Sequence, residues 1–124
     1  MIPYAPKVVR NYLLTVLDDD VRVAWKVPAN RPAKLVTIKM IPMGDSDNIV
    51  LSPRRLIISV WGSDEDVTGE LAETVCAEMR KAKYIPGNGI RDVKIPGTPG
   101  RYDDPDDPSV RFQMTVDVLL RDQV

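Results

Sequence analysis

Residues 110–120, "VRFQMTVDVLL", decide how the rest of the chain is read. Val110, Phe112, Met114, Val116, Val118 and Leu120 occupy every second position. A period of two puts six apolar side chains on one face of a β-strand and Arg111, Gln113, Thr115 and Asp117 on the other. The segment is long enough for a central strand. One-sided alternation belongs to an antiparallel sheet with one covered face, whereas parallel sheets buried on both faces read as continuous apolar runs.

Working outward, the same period recurs. "RRLIISVW" (54–61) aligns Leu56, Ile58 and Val60, and "KLVTIKMI" (34–41) aligns Val36, Ile38 and Met40. Val21, Val23, Trp25 and Val27 alternate as a further strand, and "IRDVKI" (90–95) reads as a short one. The turn chemistry of "PANRP" (28–32) and "PMGDSDN" (42–48) separates these runs.

Two segments carry a helical period instead. Val8, Val9, Tyr12, Leu13, Val16 and Leu17 form one stripe after Pro6, a residue suited to a first helical turn that needs no N–H donor. Asp18, Asp19 and Asp20 oppose the negative end of the helix dipole, so the helix is expected to stop there. The second stripe is Val67, Leu71, Ala72, Val75, Cys76, Met79 and Ala82. Ser63 is its expected N-cap, with Asp66 completing a capping-box-like pair. Acids at its start and Arg80, Lys81 and Lys83 at its end both suit the dipole. The fold class expected is therefore α+β: a mostly antiparallel sheet of four to five strands with two helices packed on one face. At 124 residues the chain is expected to be one domain. A long loop rich in Pro, Gly and Asp is expected at 96–109.

Composition narrows the chemistry. There is no histidine, which removes the usual general base and the commonest metal ligand. Cys76, the only cysteine, falls within an apolar stripe and reads as a small core residue; with no second cysteine, a reducing compartment is expected. "GNG" (87–89) and "GTPG" (97–100) lack the spacing of phosphate-binding loops and read as turns. No apolar run approaches the roughly 18 residues of a membrane span, and the first residues lack the layout of a signal peptide. A net charge of -1 provides no basic footprint for nucleic acid. The charge is split, however. Residues 1–62 carry nine basic and five acidic groups, and residues 63–124 carry eight and thirteen. Two solvated faces of one domain would account for that, as would a head-to-tail assembly of unlike patches.

The most conspicuous polar feature is "RYDDPDDPS" (101–109). Asp103, Asp104, Asp106 and Asp107 do not follow a calcium loop: counted from Asp104, Pro108 takes the fifth position and no glutamate follows at the twelfth. The reading is a stiff acidic turn pinned by Pro105 and Pro108, and no metal, cofactor or catalytic residue is assigned. Arg101 and Tyr102 have the composition of interface anchors. Arg54 and Arg55 either bind an anionic partner group bidentately or guard an exposed strand end.

Taken in order, "VPANRPAKLVTIKMIPMG", "RRLIISVWGSDEDVTGELAETV" and "GTPGRYDDPDDPSVRFQMTVDVLLR" resemble the tail terminator proteins of long, non-contractile-tailed bacteriophages, those infecting actinobacteria in particular. The resemblance spans about residues 21–121. Its cues are Arg31-Pro32 before a strand, an arginine-led strand ending in Trp61, an alanine-rich helix, and Pro99, Asp104-Pro105 and Arg111-Phe112 leading into the last strand. Gly44 stands alone where such proteins often carry a glycine pair. The resemblance implies a virion subunit, made in the host cytoplasm, that forms a ring, commonly a hexamer. Such a ring caps the tail tube built of the major tail tube protein, ends its growth and meets the head-completion or connector protein. DNA passes through the lumen without specific binding, and there is no enzymatic activity. Arg31, Arg54, Arg55, Arg101, Tyr102 and the four aspartates are the expected contact residues. The alternatives are another neck component, such as a head–tail connector or tail-completion protein, and a ligand-binding regulatory α+β domain.

Overall fold

Strand β5 (Val110–Arg121) is flanked on both sides, by β3 (Leu51–Gly62) and by β4 (Ile90–Arg101), both antiparallel to it. This is a computed structural model describing residues 1–44 and 50–122. Strand β2 (Leu35–Ile41) pairs antiparallel with β3, and the three-residue β1 (Arg22–Ala24) pairs parallel with β2. The described residues form one five-stranded sheet in the order β1-β2-β3-β5-β4. Helix α1 (Ala5–Val16) precedes β1, and helix α2 (Glu65–Lys81) connects β3 to β4, ending in a 3-10 turn at Ala82–Tyr84. The α+β class follows directly from this arrangement.

Alternation works as the sequence predicts. Val36 and Ile38, Leu56, Ile58 and Val60, and Met114, Val116, Val118 and Leu120 are all buried on the face that both helices cover. Helix α1 contributes Ala5, Val9, Tyr12 and Leu13 to this core, and α2 contributes Ala72, Val75, Cys76 and Met79. The Tyr12 hydroxyl donates to the Glu78 carbonyl at 2.6 Å, tying one helix to the other. Burial raises both the Tyr12 hydroxyl pKa and the Cys76 thiol pKa, which suits packing residues. Gly62 closes β3 where a Cβ would overlap the buried Thr68 Oγ1, so a glycine is what lets α2 turn in so tightly.

Five expectations are corrected. The strand expected through Trp25 and Val27 ends at Ala24, because the chain must leave the sheet edge to enter β2 in parallel; Trp25 and Val27 are exposed. Met40 shares a face with Val36 and Ile38 but is exposed. The N-cap of α2 is Asp64, not Ser63, its carboxylate accepting from the Asp66 and Val67 amides at 2.8 and 3.2 Å. Val67 then falls outside the buried stripe, and Thr68 takes its place.

The largest correction concerns the loop expected at 96–109: β4 continues through "PGTPG" to Arg101, leaving only 102–109 as a turn. β4 is an edge strand, so a residue lacking an N–H is tolerated on its open side. The register shifts between Lys94 and Gly97 and between Gly97 and Gly100, and these irregularities take up Pro96 and Pro99. Of the turn expected at 42–48, residues 45–48 lie outside the described residues.

Candidate functional site

The helix-free face of the sheet carries the residues that alternate with the core. At one end of it, register places Leu35, Trp61 and Arg111 in one row across β2, β3 and β5. The Arg111 guanidinium lies 4.9 Å from the Trp61 ring centroid and 4.9 Å from that of Tyr102. Its buried Nε has no hydrogen-bond partner among the described residues, so the aromatic faces supply its favourable contacts. Arg31 approaches the same Trp61 ring at 4.8 Å from the connection between β1 and β2. The Trp61 Nε1 donates to Thr37 Oγ1 at 3.0 Å, which fixes the indole that both arginines use.

This stack anchors the acidic turn. Arg31 donates through both terminal nitrogens to the Asp107 carboxylate, at 3.2 and 2.8 Å, and also to Ser109 Oγ. Asp107 accepts from the Ser109 amide at 2.9 Å as well. The Arg31 fork and the Ser109 donors hold the Asp107 carboxyl well below the usual carboxylate range. Asp104 accepts from the Asp106 amide at 2.9 Å, and the Asp107 amide donates to the Asp104 carbonyl at 3.1 Å, closing a tight turn. Beside it, Arg101 bridges Asp103 and Glu65, each at 2.9 Å, which joins the turn to the start of α2. The turn is therefore built into the domain by charge-assisted hydrogen bonds.

The expected contact residues fall into two groups. Arg31, Arg101, Tyr102, Asp103, Asp104, Asp106 and Asp107 come together at one end of the sheet. Arg54 and Arg55 lie near the start of β3, well away from them. Arg55 pairs bidentately with Asp117 across β3 and β5, at 2.8 and 2.9 Å, and this pairing raises its pKa. Arg54 donates to Ser52 Oγ at 2.5 Å and to the Pro53 carbonyl at 2.8 Å. Both arginines are thus engaged within the domain, Arg54 locally and Arg55 across the strands.

Outward, the turn presents Tyr102, Asp103, Asp104 and Asp106, with Tyr102 53% exposed. Trp61, Arg111 and Glu65 organise the site without being among the contact residues expected from sequence. Their signal was present in the strand phase: Trp61 and Arg111 both occupy polar-face positions of apolar-alternating strands, where a tryptophan needs a covering partner. Among the described residues, no group of three or more His, Cys, Asp or Glu side chains is placed to hold a metal ion. Asp103, Asp104 and Asp107 direct carboxylate oxygens at backbone amides and arginines rather than at a common centre. Among the described residues no helix is long and apolar enough to cross a membrane. In comparison with known proteins, no family model matches the chain, and no curated protein matches it significantly.

Proposed function

We propose that the chain is a structural subunit of a bacteriophage neck, a tail terminator that forms a ring on the end of the tail tube and joins it to the head-completion or connector protein. The observation that carries this reading is the rigid acidic turn at 102–109. It is held from beneath by the Arg31–Trp61–Arg111–Tyr102 stack, and it displays an aromatic ring and three aspartates to solvent. A surface ordered in advance loses little entropy on binding, which suits a contact made repeatedly in an assembly. A second support is the placement of charge. The basic groups of the first half are spread over β1, β2, β3 and their connections, whereas the excess acid of the second half is concentrated in α2 (Glu65, Asp66, Glu70, Glu73 and Glu78) and in the turn (Asp103, Asp104, Asp106 and Asp107). Unlike patches suit subunits that meet head to tail and close into a ring. The order of sequence segments that resembles tail terminators gives this ring its place.

The test has two arms. The purified chain at high concentration is expected to have the mass of a closed ring by light scattering, and to bind the end of tubes made of the major tail tube protein in electron micrographs. A particle that stays monomeric overturns the ring. A ring found only between portal and connector, never on the tube, assigns the chain to another neck component instead.

A further inference from the structure

At the end of the β4–β5 hairpin opposite the acidic turn, Pro3, the segment 83–91 and Arg121 enclose an open groove of about 790 Å³. Its cations are Lys83, Arg91 and Arg121. They run against the acidic balance of residues 63–124. Arg91 and Arg121 are exposed and have no hydrogen-bond or ion-pair partner among the described side chains. Lys83 reaches Asp92 only at 3.4 Å. The one acid in the lining, Asp122, is taken by the Met1 amine. Tyr84, 76% exposed, stands at the groove with the Lys83 amine 5.3 Å from its ring centroid. The wall is stiff: Gly87 and Gly89 turn the chain at φ +87° and +84°, and Asn88 clamps the turn through the Ala82 carbonyl and the Ile90 amide, each at 2.8 Å. This is a shaped groove that carries two guanidinium groups unpaired among the described residues, with an aromatic side chain beside them.

We infer that this groove receives the acidic turn, Tyr102 to Asp106, of a second copy of the chain. The complementarity is specific in kind: two free guanidinium groups and an ammonium face a turn in which Asp104 and Asp106 have no ion-pair partner among the described residues. A single chain cannot satisfy itself in this way. Turn and groove are separated by the length of a 12-residue hairpin, roughly 35 Å at the usual rise of a strand. The two surfaces are different, so the contact is heterologous, and it either closes as a ring or propagates. The inference rests on the ring-forming reading above and supplies the receiving surface that reading lacked.

Two variants test it. The groove variant is Arg91→Glu with Arg121→Glu. The turn variant is Asp104→Asn with Asp106→Lys, in which asparagine keeps the acceptor that closes the turn. Each alone is expected to self-associate at least roughly tenfold more weakly than the natural chain by sedimentation, since like charges then face one another. Mixed together, they are expected to recover association, because the groove variant's natural turn meets the turn variant's natural groove and the two altered surfaces are again opposite in charge. Arg91→Lys with Arg121→Lys keeps the charge and is expected to assemble. Raising salt from about 0.05 to about 0.5 M is expected to weaken the natural assembly, as screening shortens to a few ångströms. If the natural chain forms rings and both variants form them equally well, this inference fails while the ring reading stands. If the natural chain is monomeric, both fail. If groove variants assemble normally but lose binding to a labelled DNA duplex, the groove serves phosphate, and a second copy is ruled out as its occupant.

Discussion

Asp107 concentrates the chemistry of the turn in one side chain. It accepts from the Arg31 fork and from Ser109, and its carboxyl is held below the ordinary range. A depressed native pKa means the unfolded chain binds the proton more readily than the folded one. The stabilisation is therefore complete above the unfolded value of about 3.9, and it is lost as pH falls through that value toward the folded one. Asp107→Asn is expected to lower the melting temperature at pH 7, with the difference from the natural chain shrinking below about pH 4. Melting curves recorded from pH 7 to pH 2 check this; a gap that stays constant to the acid end would mean that the pair contributes nothing through its charge. The sequence marked Asp107 only as one of four aspartates. Its partner Arg31 lies 76 positions away, and no local pattern connects them.

Among the elements, α2 shows how a small displacement of a boundary redistributes a face. Ser63 and Asp64 are both good N-cap residues, and sequence alone does not rank them. The structure places the cap at Asp64, which begins the helix at Glu65 and turns Thr68 inward against Gly62 in place of Val67. Asp64→Ala is expected to cost about 1 kcal/mol of stability, and Ser63→Ala at most a few tenths; urea unfolding of both variants distinguishes the two caps. Strand β5 was legible throughout because a period of two over eleven residues admits one phase. Its Phe112 packs against α2 at Gly69, where a Cβ would come within 3.2 Å of the ring. Phe112 is partly exposed, so Phe112→Ala is expected to cost about 2–3 kcal/mol, at or below the low end for buried phenylalanines. A loss under about 1 kcal/mol in the same urea assay would contradict that packing. Strand β4 was only half legible, since Pro and Gly ordinarily break strands. Edge position removes the objection, and edge position is a property of sheet order rather than of the segment.

At the scale of the whole molecule, charge serves two purposes that the sequence does not separate. Arg55 reads like an outward cation but pairs with Asp117 across the sheet. Arg91 and Arg121 have no such partner among the described residues and line the open groove. Arg55→Glu is accordingly expected to lower the melting temperature of the domain, while Arg91→Glu leaves it unchanged within about the range of ordinary surface substitutions. Thermal melts of dilute protein, where assembly does not contribute, make the comparison. Equal losses would mean that Arg91 is also held within the fold.

The α+β class, the two helices, the covered face and the core of the central strands were determined by the sequence itself. They depend on periodicity, and a period is a local property that the backbone geometry of each element reads directly. The extent of β4, the choice of cap, the short parallel β1 and the joining of Arg31, Trp61, Arg111 and Asp107 were decided only by tertiary structure. Each depends on which strand lies beside which, and on contacts between residues far apart in the chain. The acidic turn shows the division clearly: its composition announced an acidic surface, but the cations and rings that hold it in place come from three separate strands and connections, brought together by the register of the sheet.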